Sequence, residues 1–221
     1  MMHSLPDPSK MKVGKENYID LPAGTELHRI HPSRFGSVQF NNTARGDARF
    51  SPIRNAAGAI IPTIYGGQSF ECAVCEIILR CPDTATTKLS PLSGNDIVYP
   101  ADFEHYSHSV VRTAIDLKLV DVTNKGQRAI GINHNALLSH PSSSYPKTRD
   151  WAMRIHGACP AAQGLYYSSF QYGPQFAVLL FGDRLPAAAL RALSKREVSE
   201  AACHDDIHAL AASLSIDYED V

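Results

Sequence analysis

Side chains that could bind or transform a ligand lie in three separate segments of this 221-residue chain. Arg29 lies in the first segment, Tyr65 and Glu76 lie in the second, and the pair Ser168 and Ser169 lies in the third. Arginine suits phosphate groups because its planar guanidinium can donate two parallel hydrogen bonds. A carboxylate can stabilise a sugar carbon that becomes positively charged when its bond to a leaving group breaks. These residue types therefore suit a small anionic ligand, if the fold brings the three segments together.

Each of these residues also has an ordinary structural explanation. Arg29 could be a solvated charge in a strand, and Tyr65 could simply end a strand before the Gly-Gly turn that follows it. Glu76 lies four residues before Arg80, which is the spacing of a surface ion pair on a helix. The two serines could be turn residues. The functional interpretation depends on all three segments occurring in one chain.

Two short motifs resemble metal sites. Cys72 and Cys75 form a CxxC pair, but they lie in an apolar helical pattern without a second pair at a zinc-like distance. Buried core thiols are therefore expected. His204 and His208 lie four residues apart, as in the HExxH metalloproteases, with the shorter Asp205 in place of the glutamate. Because no third ligand is evident, we predict no metal ligands, and a metal-dependent hydrolase at these histidines is the weakest alternative.

Composition excludes several classes of protein. The formal net charge is −1, from 21 basic and 22 acidic side chains spread along the chain, so direct binding to nucleic acid is not expected. Five cysteines without framework spacing indicate a reducing cytoplasm rather than secretion. The sequence has no signal-peptide core and no stretch near the roughly 20 apolar residues that span a bilayer. A cytoplasmic protein that does not associate with membranes is expected.

Hydrophobic patterning predicts strands and helices without regular βα alternation. Strands are predicted at residues 25–31, 48–53, 60–65, 117–123, 164–170 and 176–181. One helix is predicted to start after the N-cap Ser69 and to stop at Pro82. A second helix is predicted to be capped by Thr148, to run through His156 and to be closed by Gly157, and a helical region is predicted after Pro186. This mixture favours an α+β fold in a single domain.

The order of Arg29, Glu76 and Ser169, together with the sequence around them, resembles one known family. The stretches RIHPSRFGSVQFN, ARFSPI and IPTIYGGQSFECAVCE carry the resemblance. In residues 164–169, a glycine, an apolar residue, an aromatic residue at the fourth position and a serine at the sixth also follow the family pattern. The family is that of the RES-domain proteins, named after its Arg, Glu and Ser. The resemblance covers about residues 25–181.

The resemblance implies a compact fold like that of ADP-ribosyltransferases, with a mixed sheet core, flanking helices and a cleft for NAD. It implies a toxin of a bacterial toxin–antitoxin system that cleaves the nicotinamide–ribose bond, as an NAD glycohydrolase or an NAD phosphorylase. NAD is then the substrate, no cofactor is expected, and phosphate is a co-substrate of the phosphorylase. Residues 21–221 would form the RES-type catalytic domain, with its C-terminal helical region, after a flexible N-terminal segment of residues 1–20.

The chemistry of these side chains predicts roles that fit the resemblance. Arg29 binds the pyrophosphate, with Arg49 as a second basic group. Glu76 holds the ribose hydroxyls beside the developing positive charge. Tyr65 stacks on the nicotinamide ring, and Ser169 orients the ribose or the Glu76 carboxylate. The nicotinamide ring is already cationic while it is bound to the ribose and leaves as a neutral molecule, so no general acid is required.

Several alternatives stay open at this point. Ser168 is the alternative to Ser169 as a substrate-binding serine, because the two point to opposite faces of a strand. The implied partner is a cognate antitoxin with a helix-turn-helix DNA-binding part, and a homo-oligomer within that complex is allowed. The chain could instead be a mono-ADP-ribosyltransferase that acts on a protein, or an interaction module without activity.

Overall fold

The computed structural model of the protein describes residues 5–80 and 94–219. In this part of the chain the strands are β1 (Tyr18–Leu21), β2 (Glu26–Pro32), β3 (Ile53–Arg54), β4 (Ile60–Ile61), β5 (Thr63–Gly67), β6 (Asp96–Val98), β7 (Tyr106–Thr113), β8 (Leu117–Asp121), β9 (Gly164–Ser168), β10 (Phe176–Phe181), β11 (Leu190–Glu197) and β12 (Ile216–Tyr218). The helices are α1 (Phe70–Ile77), α2 (Asn124–Ala129), α3 (Ala136–Ser139), α4 (Tyr145–Ala158) and α5 (Ala201–Ser213). The predicted α+β class is confirmed.

One mixed sheet organises the described residues. Its strands follow the order β1-β8-β9-β10-β5-β2-β7-β11. β8 and β9 run parallel, and the other neighbouring strands of this sheet run antiparallel. β3 pairs with β4, and β6 pairs with β12, in two small separate ribbons. The predicted core of a mixed sheet with flanking helices is therefore confirmed.

The central strand β10 explains how the core is arranged. It lies between β9 and β5, as its continuous apolar sequence predicts. Ala177, Leu179 and Phe181 belong to one buried cluster, whereas Val178 and Leu180 belong to another. Since successive side chains of a strand point to opposite faces, the sheet is covered on both sides. Each large side chain buried in this way contributes about 1.5–3 kcal/mol.

Helix α4 is longer than the sequence predicts. It begins at Tyr145, with a proline in its first turn, and it continues one residue past Gly157. Thr148 is fully buried inside the helix, with its hydroxyl within hydrogen-bond distance of the Arg49 and Tyr145 carbonyls. Thr148 as cap and Gly157 as stop were therefore wrong predictions. A proline is favourable in the first turn of a helix, so the helix can start before Thr148.

Two other predicted elements differ from the structure. Residues 48–51 form a tight turn with an isolated bridge, so the predicted strand at residues 48–53 is limited to the short β3 that follows. Helix α1 begins after Ser69, whose side chain accepts a hydrogen bond from Cys72 N as predicted. It ends before Pro82, and Pro82 itself lies outside the described residues.

The region after Pro186 is not helical throughout. Its first part is β11, which extends the sheet beside β7, and α5 begins only at Ala201. Alanines favour a helix locally, but the unpaired backbone groups of β7 provide hydrogen-bond partners that local propensity does not include. No helix in the described part of the chain has both the length and the apolar character needed to cross a membrane.

The part of the N-terminal segment that the structure describes packs against the core. Leu5 and Met11 are buried, Trp151 Nε1 donates to Pro6 O at 2.9 Å, and β1 pairs with β8. The sequence predicts a flexible segment over residues 1–20. Residues 5–20 differ from this prediction, because they are held against the rest of the protein. The reason is that a few apolar residues can attach a mostly exposed polar segment when a matching surface is available.

Candidate functional site

The sheet opens between β2 and β5, and a pocket of about 210 Å³ lies at this opening. The two strands are neighbours, but their registered pairing is limited to His28 with Gly67. Residues 28–30 of β2 and residues 65–67 of β5 all line the pocket. Side chains of both strands can therefore reach one ligand.

Helix α1 follows β5 closely and carries Glu76 to the pocket. A Cβ on Gly67 would lie 2.9 Å from Cys72 Sγ and 3.3 Å from Ala73 N, so the absence of a side chain permits this close approach. The cap by Ser69 fixes the start of the helix. Cys72 and Ala73 are buried, and Glu76 lines the pocket one turn further on.

The Glu76 carboxylate is held through one of its oxygens. Oε1 accepts hydrogen bonds from Ser169 Oγ at 2.5 Å, Phe170 N at 3.0 Å and Gln171 N at 3.3 Å. No group in the described part of the chain donates to Oε2. One oxygen therefore fixes the orientation of the carboxylate, and the other is available to a ligand.

The structure separates the two candidate serines. Ser169 is buried, donates to Glu76 and accepts from Tyr172 N at 2.9 Å. Ser168 is paired with Phe176 in the sheet and does not line the pocket. Only Ser169 is connected to Glu76, and it acts on the carboxylate rather than lining the pocket itself.

The ion pair that the spacing of Glu76 and Arg80 allows does not form between these two side chains. Helix α1 ends at Ile77, so Arg80 lies beyond the helix, where the i, i+4 geometry no longer applies. Arg80 Nη2 donates to the Tyr145 hydroxyl, and both residues line the pocket. The ordinary explanation for Glu76 is therefore excluded.

Arg29 is a half-buried cation that lines the same pocket as Glu76. Its Nε donates to Tyr65 O at 3.0 Å, and its Nη1 donates to Ser37 O. Burial lowers the Arg29 pKa to about 10, so the guanidinium stays charged at neutral pH. No carboxylate in the described residues lies within 4.0 Å of it. A partly desolvated charge without a counter-ion at this distance favours an anionic ligand.

Arg49 lies in the tight turn of residues 48–51, not in a strand. Its Nη1 donates to Leu137 O at 3.1 Å and to His140 O at 2.9 Å. Its Cζ lies 5.0 Å from the Tyr145 ring centroid and 5.7 Å from that of Phe170. Arg49 lines the pocket with its guanidinium held at one end and flanked by two aromatic rings.

Tyrosines form much of the remaining wall. Tyr65, Tyr145 and Tyr167 line the pocket, and the Tyr65 hydroxyl accepts a hydrogen bond from Phe50 N at 2.9 Å. Burial raises the pKa of Tyr65 to about 12 and raises the pKa of Tyr167 well above its ordinary value. Both hydroxyls therefore stay protonated near neutral pH, and the rings provide flat, uncharged surfaces.

Sequence reasoning missed several pocket residues, among them Tyr145, Tyr167 and Gln171. Tyr167 shares a strand face with Ser169, so the alternation within β9 is a signal that could have identified it. Tyr145 starts α4 in a stretch without any recognisable motif. Its position at the pocket follows only from the tertiary structure.

Neither of the two metal-like motifs lines this pocket. Cys72 and Cys75 are buried free thiols, as predicted. His204 and His208 lie on α5 and do not line the pocket. Among the residues that the structure describes, no group of three His, Cys, Asp or Glu side chains could hold a metal ion.

The charge and size of the pocket restrict its ligand. Arg29, Arg49 and Arg80 contribute three cations, against the carboxylates of Glu76 and Asp47. Asp47 is paired at 2.6 Å with an arginine of α4, so the lining favours an anion. A volume of about 210 Å³ is smaller than the roughly 300–1,000 Å³ of sites that enclose a whole small ligand. The pocket would therefore enclose one part of a larger ligand.

Two comparisons with known proteins give matches over most of the chain. The model of the RES domain matches residues 26–203, which include Arg29, Glu76 and Ser169. The fold is similar to a crystal structure of the M. tuberculosis MbcT-MbcA toxin-antitoxin complex, with a TM-score of 0.59 and 13% identity. That similarity covers 86% of this chain and 91% of the other. A search of curated proteins finds no match. Since the family model spans most of the chain, this protein belongs to the RES-domain family.

Proposed function

We propose that this protein cleaves the bond between nicotinamide and ribose in NAD, and that it acts as the toxin of a toxin–antitoxin pair. The observation that carries the proposal is the Glu76 carboxylate, held by three donors to Oε1 with Oε2 available in a pocket lined by three arginines. A site that binds diphosphate and stabilises a cationic sugar needs both charges close together.

The reaction would begin with loss of nicotinamide. The C–N bond breaks, its electron pair goes to the nicotinamide nitrogen, and the leaving group becomes neutral. The anomeric carbon of the ribose becomes an oxocarbenium-like cation. Glu76 Oε2 would face this cation and hold the ribose hydroxyls, while Ser169 keeps the carboxylate oriented through Oε1. Water or phosphate then adds to the carbon, with loss of a proton in the case of water.

The walls of the pocket suit the other parts of the substrate. Tyr65 would offer its ring to nicotinamide, with the hydroxyl already engaged by Phe50 N. Arg29 and Arg49 would neutralise the diphosphate. The limited volume agrees with a pocket that encloses the nicotinamide ribose and leaves the adenosine near its mouth.

The role as a toxin is supported by the family and by the similarity in fold to the toxin–antitoxin complex of M. tuberculosis. Depletion of NAD would stop growth when the protein is expressed alone. Co-expression of a cognate antitoxin with a helix-turn-helix DNA-binding part should restore growth. If the wild-type protein leaves growth unchanged while the NAD level stays normal, the proposed role in cells is wrong.

Nicotinamide release is the direct test of the chemistry. Purified protein is incubated with NAD, with and without phosphate, and nicotinamide is measured by chromatography together with ADP-ribose or its 1-phosphate. The Glu76→Gln variant keeps the size of the side chain but removes its charge. We expect its kcat to fall by about 10²–10³-fold, as for loss of a group that stabilises transition-state charge.

Glu71→Gln is the matched control on the same helix, because Glu71 lies in the first turn of α1 and does not line the pocket. It should keep most of the turnover if both variants have similar melting temperatures. Absence of nicotinamide from the folded wild-type protein under every condition would refute cleavage of NAD. Equal loss in both variants would remove Glu76 from the proposed mechanism.

A further inference from the structure

We infer that Arg49, rather than Arg29, provides the bidentate clamp for the diphosphate, and that Tyr145 is the positioning residue that aims this clamp. The inference deepens the proposed function and rests on it for the identity of the ligand. The binding of a diphosphate group can be measured separately, so this part of the inference does not depend on the proposed function.

The hydrogen bonds of Arg49 leave one edge of its guanidinium available. Nη1 donates to Leu137 O and to His140 O, which uses both of its hydrogens. No group in the described part of the chain accepts from Nε or Nη2. These two nitrogens carry parallel N–H bonds, which is the geometry that binds two oxygens of a phosphate at once.

Arg29 does not offer the same edge. Its Nε already donates to Tyr65 O at 3.0 Å, so the parallel pair of Nε and Nη2 is not free for a ligand. Its Nη1 also donates to Ser37 O. Arg29 therefore contributes a desolvated positive charge and end-on donors, whereas Arg49 contributes a bidentate edge.

Tyr145 holds Arg49 in place through its ring. The Arg49 guanidinium lies over this ring at 5.0 Å, and the guanidinium of Arg80 lies over it at 5.5 Å. Tyr145 is only 3% exposed, and the same helical turn carries Thr148, whose hydroxyl contacts Arg49 O. Main chain and guanidinium of Arg49 are thus both fixed by the start of α4. A pre-organised donor binds an anion without a further cost of ordering.

The test measures binding of inorganic pyrophosphate and of ADP-ribose by calorimetry. Arg49→Lys keeps the positive charge but loses the parallel donors. Tyr145→Leu removes the ring, whereas Tyr145→Phe keeps the ring and removes only the hydroxyl that accepts from Arg80. We expect Arg49→Lys and Tyr145→Leu each to weaken both ligands by about tenfold to a hundredfold. Tyr145→Phe should bind pyrophosphate much more tightly than Tyr145→Leu.

The double variant tests whether Tyr145 acts through Arg49. If it does, Arg49→Lys with Tyr145→Leu binds no more weakly than Arg49→Lys alone. Additive losses in the double variant would mean that Tyr145 does not position Arg49. Tyr166→Leu is the matched control, because Tyr166 stacks on Phe176 and does not line the pocket. It should leave binding of both ligands unchanged.

Two outcomes separate this inference from the proposed function. If wild-type protein does not bind pyrophosphate, or if Arg29→Lys weakens it more than Arg49→Lys in folded protein, the inference is wrong. If pyrophosphate binds as expected but no nicotinamide is released from NAD, the clamp stands and the proposed reaction fails. With active protein, the clamp variants should raise KM for NAD more than they lower kcat, which a general loss of structure would not do.

Discussion

At the scale of single residues, the most informative contact joins Ser169 to Glu76. The two side chains lie 93 positions apart in sequence, yet Ser169 Oγ donates to Glu76 Oε1 at 2.5 Å. Ser169 itself is oriented by Tyr172 N. The serine thus belongs to a chain of donors that ends on the carboxylate. It holds the Glu76 carboxylate in place, so under the proposed function its loss should change turnover more than substrate binding.

Ser169→Ala tests this role. The variant removes one of three donors to Oε1 and leaves the backbone donors Phe170 N and Gln171 N in place. We expect kcat for nicotinamide release to fall by about tenfold, in line with loss of one hydrogen bond to a charged group. KM for NAD should change little, and steady-state kinetics over a range of NAD concentrations measures both parameters.

Ser168→Ala separates the two neighbouring serines. Ser168 faces away from Glu76 and does not line the pocket, so this variant should keep most of the turnover. A larger loss of kcat in Ser168→Ala than in Ser169→Ala, at equal melting temperature, would reverse the assignment of the serine.

At the scale of elements, α4 continues past Gly157, the glycine that the sequence predicts to end it. Gly157 lies inside the helix, where a Cβ would meet no atom within 4 Å. Arg184 instead donates to His156 O in the last turn and to Cys159 O at the C-cap, and also to Ala162 O in the loop that follows. Side chains that reach a helix end from elsewhere can therefore replace a glycine cap.

Gly157→Ala distinguishes a glycine inside the helix from a glycine that caps it, because the free energy of unfolding should change in opposite directions in the two cases. In a helix interior, alanine is more favourable than glycine, so the free energy of unfolding should rise by about 0.5–1 kcal/mol. A cap glycine with positive φ would give a loss instead. Urea unfolding measures the change. Gly131→Ala is the matched control, because Gly131 has a φ of +95° and alanine there should destabilise the protein.

At the scale of the whole molecule, a buried histidine joins three strands of the sheet. His108 on β7 lies 3.0 Å from His28 on β2, and its Nδ1 accepts from Arg196 Nε on β11 at 3.3 Å. Because Nδ1 accepts, the neutral ring carries its proton on Nε2 and donates it to His28. Burial, with the positive charge of nearby groups, lowers the His108 pKa to about 3, and burial lowers the His31 pKa to about 4.

These pKa values predict that the protein loses stability as the pH falls. The unfolded chain binds a proton at His108 near pH 6.5, whereas the folded chain stays neutral there until about pH 3. The stabilisation is complete above pH 6.5 and is lost progressively between these two values. The urea concentration at the midpoint of unfolding should therefore decrease as the pH is lowered from 7.5 to 5.

His108→Gln provides the comparison for this prediction. Glutamine can accept from Arg196 and donate to His28, but it does not titrate. Its urea midpoint should decrease less than that of the wild type over the same range, since all other titrating groups are shared. Parallel decreases in the two proteins would show that His108 does not contribute to the pH dependence.

The sequence by itself determined the class of fold, the cap at Ser69, the central strand β10 and the family. It also predicted Arg29, Glu76 and Ser169 as site residues from their order and flanking sequence, and the structure places Arg29 and Glu76 at one pocket with Ser169 bonded to Glu76. Apolar periodicity and capping are local, so they can be recognised without a partner.

Only the tertiary structure decided which contacts each side chain and strand makes. Arg49 donates to carbonyls 88 and 91 positions away, and these contacts determine which edge of its guanidinium is left for a ligand. Tyr145 belongs to the pocket because α4 begins beside Arg49, and β11 is a strand because β7 pairs with it. Hydrogen bonds and packing between distant segments leave no periodic signal in the sequence, so they could not be predicted from it.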